Sequence, residues 1–330
     1  MKKLFLSLVA VIVAATATFA QNTLVATLSH GEDITMYYGY YALRDAMDAA
    51  VSGDVINLSG GSFSAKDINK AITLRGTGID DAAPTYISGE FTINIPSDDT
   101  NRLSIEGIRF LNGVYFSGTF NNPFFTKCKF SRFTWNNNTN VKNVMFANCK
   151  LSDQFMIRGA SSVQFINSFI QDFYNYESNN ASAAFINCVI GEYNPTSMSN
   201  SQLLNCIIYI RCYNDNLPAS AIATNCLSIG FNNLFANNTS NTGNTSLSSS
   251  QYASVFKDFT GTYSDSQTFE LTDEAMTTYL GNDGTQVGMH GGVLPYNSTP
   301  SYPQITKMNV ANKTTADGKL SVEIEVSAAE

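Results

Sequence analysis

The sequence predicts an all-β solenoid, a coil of short strands with about twenty residues to the rung. Three observations carry that expectation. The stretches VMFANCKLSDQ, VQFINSFIQDF, AAFINCVIGEY and SQLLNCIIYI repeat an aromatic or Leu, an Asn, a Cys or Ser and an aliphatic residue in fixed slots. No repeat shows a 3.6-residue apolar period, and each is too short for two packed helices. Charged residues make up only 14% of the chain, and a polar surface built from Asn, Ser and Thr suits strands and loops.

Residues 1–20 read as a secretory signal peptide: Lys2 and Lys3 lead the apolar run LFLSLVAVIVAA, and Thr18-Phe19-Ala20 offers a small-x-Ala cleavage site before Gln21. The run is too short for a bilayer span, and no second long apolar run follows. No cysteine stands at the cleavage point to take a lipid. The expected location is therefore periplasmic, cell-surface or extracellular. Without Lys2 and Lys3 the chain carries 17 basic against 27 acidic side chains, a net charge of −10. That sign argues against nucleic acid and anionic membranes as partners.

The segment GYYALRDAMDAAVSGDVINLSGGSF predicts a short amphipathic helix from about Tyr41, with Leu43, Ala46, Met47 and Ala50 on one face, then a Gly-Asp turn and a first strand. AITLRGTGI (71–79) and LSIEGIRF (103–110) read as early copies with Gly76 and Gly107 in the Asn slot, separated by an insertion over 80–101. The regular copies are anchored at Cys128, Cys149, Ser168, Cys188, Cys206 and Cys226, with spacings of 21, 19, 20, 18 and 20. One residue earlier stand Lys127 and then Asn148, Asn167, Asn187, Asn205 and Asn225. Phe and Cys are three apart, yet both are expected to face inward, which strict alternation forbids. A bend at the Asn restores the parity, and Asn tolerates such a bend. Stacked rungs would then set Asn over Asn at a strand spacing of about 4.8 Å, as a ladder of amides.

These repeats and their asparagine ladder resemble the right-handed parallel β-helix of the pectin-lyase-like superfamily, over about 22–296. The resemblance implies an N-terminal capping helix, and about nine or ten rungs are expected in this chain. The segment LGNDGTQVGMHGG (280–292) is expected to close the last rungs as a C-terminal cap. Residues 21–296 are thus the β-helix. The tail 297–330 holds a hairpin in which Leu320, Val322, Ile324 and Val326 share a face, with Met308 and Val310 opposite, placed to cover an open end. The slot cysteines are expected to be buried free thiols acting as small apolar fillers, although neighbouring rungs bring Cα atoms within disulfide range. Cys212 lies outside the slot.

Four residues past the anchors stand Arg132, Asp153, Asp172 and Glu192 in successive rungs. In register they would form a column of three carboxylates headed by a guanidinium. Two like charges about 5 Å apart repel by roughly 1–3 kcal/mol. Such a column suits calcium, which takes carboxylate oxygens, or an acid/base pair. It also suits a solvated turn with Arg132 paired to Asp153. Asp153, Asp172 and Glu192 are therefore the candidate catalytic and metal-binding residues, with calcium the one cofactor implied. Arg132, Trp135, Tyr174, Tyr176 and Tyr193 are candidates for gripping a sugar face, though alternate aromatics must also fill the core.

The resemblance extends to fold more than to chemistry. The Trp-x-Asp-His and Arg-x-Pro-x-x-Arg phrases of pectate lyases are missing, as are the Asn-Thr-Asp, Gly-His-Gly and Arg-Ile-Lys phrases of polygalacturonases in their proper surroundings. Asp80-Asp81, Asp98-Asp99 and His290 are isolated matches. Two histidines, His30 and His290, and inward cysteines leave no zinc set. Lys150 or Arg158 near Asp153 would be the base of a lyase. The expectation is an exported β-helix that binds a polysaccharide or surface glycan without catalysis. The alternatives are a calcium-dependent polysaccharide lyase or glycoside hydrolase acting on an acidic polysaccharide, and a structural stalk or adhesin. A monomer is expected.

Overall fold

The computed structural model describes residues 24–80, 83–97, 99–136, 139–157, 161–175, 182–193, 195–209, 216–230, 233–238, 240–310, 313, 317–319 and 321–327. The chain is a parallel β-solenoid of about eight turns with few helices. The first sheet stacks short strands such as Phe124–Thr126, Lys142–Ala147, Ser161–Ile166 and Ala183–Ile186. The second stacks longer ones, among them Ile108–Phe116, Lys129–Trp135, Lys150–Ile157, Phe169–Asn175 and Val189–Tyr193.

Between the sheets lies the bend that parity demanded. Asn148, Asn167, Asn187, Asn205 and Asn225 have φ of 53°, 46°, 51°, 54° and 50°, and Lys127 and Gly107 share the slot at 54° and 69°. One left-handed residue turns the chain so that Phe165 and Ser168, or Phe185 and Cys188, all point inward. A second left-handed corner lies at or just before the start of the first-sheet strands, at Asn122, Asn143, Ser162 and Asn200 (φ 59°, 54°, 67° and 59°). Each stands three residues before the inward Phe125, Phe146, Phe165 or Leu203. In the sequence that slot is a recurrent Asn or Ser, a second repeat signal beside the Asn-Cys anchor.

The core is made of aligned rings. Phe125, Phe146, Phe165 and Phe185 stack with centroids 4.9, 5.3 and 5.0 Å apart and planes within 13° of parallel. Phe133, Phe155 and Phe173 form a second stack that meets the first edge-on. Cys128, Cys149, Cys188, Cys206 and Cys226 are buried and free. Burial pushes the thiols of Cys128, Cys206 and Cys226 far up. Their sulfurs lie near carbonyls of the preceding strand, as at Cys188 with Ile186 O, 3.3 Å.

Three expectations are corrected. The run 80–101 is not an insertion: Thr85–Ser88 and Phe91–Ile93 are second-sheet strands, paired with Gly61–Ser64 and with the two halves of Ile108–Phe116. The first sheet begins with an antiparallel hairpin, Val25–His30 and Asp33–Tyr38, ahead of the helix Ala42–Ala49, whose Leu43, Ala46 and Met47 are buried. And 280–292 does not close the last rungs. With the residues that follow, it runs as a strap down the Asn corner, against the direction in which the rungs ascend.

The course of the strap is written in its bonds. Asn282 N–H donates to Asn205 Oδ1 (3.0 Å), and Gly288 N–H to Asn205 O (2.8 Å). Asn167 Nδ2 donates to Met289 O (2.9 Å) and Gly291 O (2.7 Å). Asn297 N–H reaches Asn148 Oδ1 (3.3 Å), Lys127 Nζ reaches Thr299 O, and Ser301 gives Glu106 Oε1 both its N–H and its hydroxyl (2.7 and 2.6 Å). Among the described residues the ladder amides at Asn148, Asn167 and Asn205 bind the strap, and Asn205 Nδ2 also donates to Asn187 Oδ1 (3.2 Å). Gly292 fits because a Cβ there would lie 2.2 Å from Asn187 Nδ2.

Before the strap, residues 248–279 fold over the outer side of the upper second sheet. Phe256, Phe259, Phe269 and Leu271 cover Phe169, Val189, Ile207 and Leu227, with Phe269 stacked on Phe169 at 4.5 Å. The tail strands Gln304–Val310 and Val322–Ser327 pair antiparallel, Met308 against Ile324 and Val310 against Val322. Among the described residues neither joins a solenoid sheet, so the placement over an open end is not observed.

Candidate functional site

Each long strand of the second sheet bends between its halves, which is why Phe130, Phe133 and Trp135 are all buried in one strand. The expected acidic column lies at this bend. Asp172 pairs with Glu192 in register, and Gln154, not Asp153, pairs with Asp172. The strand Lys150–Ile157 carries one extra residue between Leu151, opposite Ile170, and Gln154. Asp153 is therefore displaced onto an exposed bulge. A cation here would meet two aligned carboxylate positions, not three. Among the described residues no group of three or more His, Cys, Asp and Glu side chains is placed to hold a metal ion. The Glu192 side chain lies outside those described.

The aromatic candidates separate. Trp135 is 1% exposed and packs edge-on against Phe116 at 4.9 Å, so it fills the core and offers no ring to a surface ligand. Tyr193 takes the register of inward Phe173, and its side chain is outside those described, as is the whole of Tyr176. Arg158, the second candidate base, is outside them too. Tyr174 is half-buried on the outer side, beside Met156. Arg132 is exposed and pairs in register with Gly113. It acts on Tyr115, whose hydroxyl donates to Glu90 Oε1 (3.1 Å). Burial and then Glu90 raise the Tyr115 hydroxyl pKa, against the pull of Arg132.

A concavity lined by Asp80, Lys127, Lys150, Glu270 and His290 lies elsewhere, between the strap and the second sheet. Its volume is about 680 Å³, against about 320 Å³ for a separate groove beside Asn122 and Asn143. Arg109, Lys129 and Lys150 of three successive rungs stack in register, and Lys150 lines the cleft together with Asp80. Asp80 receives Arg109 Nη2 (3.6 Å) and Lys150 Nζ (3.5 Å), and Tyr296 of the strap donates its hydroxyl to the same carboxylate (3.3 Å). Lys150 Nζ also sits 5.4 Å from the centre of the Tyr296 ring. Burial and then Asp80 push the Tyr296 hydroxyl well up, which keeps it a proton donor. Lys129 Nζ pairs with Asp265 (2.8 Å), which also accepts from Tyr263 (2.8 Å). Burial opposes ionisation of Asp265, but Lys129 and Tyr263 outweigh it and hold the pKa low.

His290, T-shaped to Tyr296 at 5.8 Å, has Nε2 2.8 Å from Thr268 O and completes the wall with Asn148, Asn297 and Ser298. Val293 and Leu294 stand exposed at the mouth. Lys150 and His290 appeared in the sequence as unconnected residues. Their meeting depends on the strap, whose course no local pattern discloses. The cationic column was visible as the residue after each anchor, in Lys129 and Lys150. The chain matches no protein-family model, no curated protein and no solved structure.

Proposed function

We propose that this is an exported β-helix protein of the pectin-lyase-like kind that holds a polysaccharide or surface glycan in the cleft beneath the strap, without turning it over. One observation carries the reading. Amide, hydroxyl, imidazole and ammonium groups surround a single tyrosine ring in a cleft of about 680 Å³, while Lys150 is engaged by Asp80, which also holds Arg109. Such a wall supplies donors, acceptors and one apolar face, the combination by which small polar ligands are oriented. The ammonium of Lys150, the candidate base of a lyase, is taken up by Asp80 and the Tyr296 ring.

The test is calorimetric titration of the mature protein with acidic and neutral oligosaccharides, with and without calcium, alongside assays for unsaturated uronate and new reducing ends. Binding without product, weakened at least tenfold by Tyr296→Ala, is the expected result. Product would overturn it. The second reading, a lyase or hydrolase, draws on the aligned Asp172 and Glu192, since adjacent rungs set carboxyls near the ~5 Å separation of retaining glycosidases. In that case Asp172→Asn abolishes product and Tyr296→Ala does not.

A further inference from the structure

The first sheet starts with an edge that no strand pairs among the described residues. Asp33–Tyr38 pairs on one side with Val25–His30 and on the other with no strand. Gly39 N–H donates to Leu24 O across that pair (2.8 Å), and antiparallel strands alternate the residues that bond to each side. Residues 33, 35, 37 and 39 therefore bond inward. Ile34, Met36 and Tyr38 turn their N–H and C=O groups to the open edge. The same three side chains share one face and are 66%, 55% and 62% exposed. Natural edges of this length are usually blunted by a charge, a proline or a bulge; the segment ITMYY (34–38) has none.

We propose that two copies of this chain pair through this strand, antiparallel about a two-fold axis at Met36, joining their first sheets into one. The strand is complementary to itself in this register. Ile34 then faces Tyr38 of the second copy twice and Met36 faces Met36, so every pair unites two edge-bonding residues on the same face. Asp33 falls opposite Gly39 and Glu32 opposite Tyr40, which keeps like charges apart. A slip by one residue would place inward-bonding groups against outward ones. An isologous contact of this kind closes on itself and uses up this edge in both copies.

Light scattering of the purified mature chain at tens of micromolar should report a dimer, and Met36→Lys should convert it to a folded monomer with unchanged far-ultraviolet circular dichroism. Register is read by cross-linking in a Cys212→Ser background. A hydrogen-bonded antiparallel pair sets Cα atoms about 5.5 Å apart, within disulfide reach. Met36→Cys should therefore form a covalent dimer on mild oxidation, while Tyr38→Cys alone should not, and an Ile34→Cys chain mixed with a Tyr38→Cys chain should form the heterodimer. A monomer at these concentrations, a dimer indifferent to Met36→Lys, or cross-linking of Tyr38→Cys to itself would each overturn the proposal.

Discussion

Asn167 shows what a single slot in the repeat has to satisfy. Its backbone is left-handed at φ 46°, and its buried amide donates to Met289 O and Gly291 O. Alanine loses both properties: the left-handed conformation costs an L-residue about 1–2 kcal/mol, and each hydrogen bond contributes about 0.5–1.5 kcal/mol. Asn167→Ala should therefore lose about 3 kcal/mol in urea denaturation, and Asn167→Gly should recover about 1 kcal/mol of it. Equal losses would show that the bend does not select the residue. This slot was legible because geometry and residue type coincide; the Lys127 copy, left-handed without an amide, was legible only through its neighbours. The register at Asp153 was not legible, because a bulge adds one residue without altering composition. His30 supplies a second test at this scale. Its ring lies 2.7 Å from Asp54, whose hydrogen bond and charge raise the imidazole pKa above 6.5. The contribution is complete below that value and fades as pH rises through the raised one. A nuclear magnetic resonance titration should place the His30 midpoint above 6.5 and return it on Asp54→Asn.

At the scale of elements, the strap decides whether the cleft exists. Its partners lie 77 to 195 residues away in sequence, from Asn205 with Asn282 to Glu106 with Ser301. No local pattern carries that information, so the glycines of 280–292 read equally well as the turns of a cap. They are there for close approach. A Cβ on Gly281 would lie 2.6 Å from Asn205 Cγ, and one on Gly292, at φ 77°, 2.2 Å from Asn187 Nδ2. Gly292→Ala should lift the strap locally, because both contact and backbone oppose the methyl group. Limited proteolysis is expected to cut within 285–298 at least tenfold faster, and the affinity for any cleft ligand should fall with it. The solenoid circular dichroism should persist. Loss of the whole β signal would instead make the strap part of the folding core.

For the whole molecule, the side chains of the inward slot predict a stability unevenly distributed along the axis. In the first sheet the inward slot reads Ile56, Leu74, Ile105, Phe125, Phe146, Phe165, Phe185, Leu203 and Ala223, so the ring stack occupies the middle rungs and tapers toward both ends. In a solenoid each rung is held chiefly by its two neighbours. Phe146 stacks on Phe125 and Phe165 and meets Phe130, Phe133 and Phe155 edge-on within 5.9 Å. Its truncation to alanine should cost about 3–5 kcal/mol, the range for large buried aromatics. Hydrogen exchange is expected to show the amides of Phe124–Thr126 and Ala183–Ile186 outlasting those of Ile222–Thr224 in the native chain. Phe146→Ala should then speed exchange in the rungs of Phe125 and Phe165 while leaving Ile222–Thr224 at its own rate. An equal acceleration everywhere would mean that the strap and the 248–279 cover couple the rungs into one cooperative unit, and that their contacts along the outside outweigh the ring stack within.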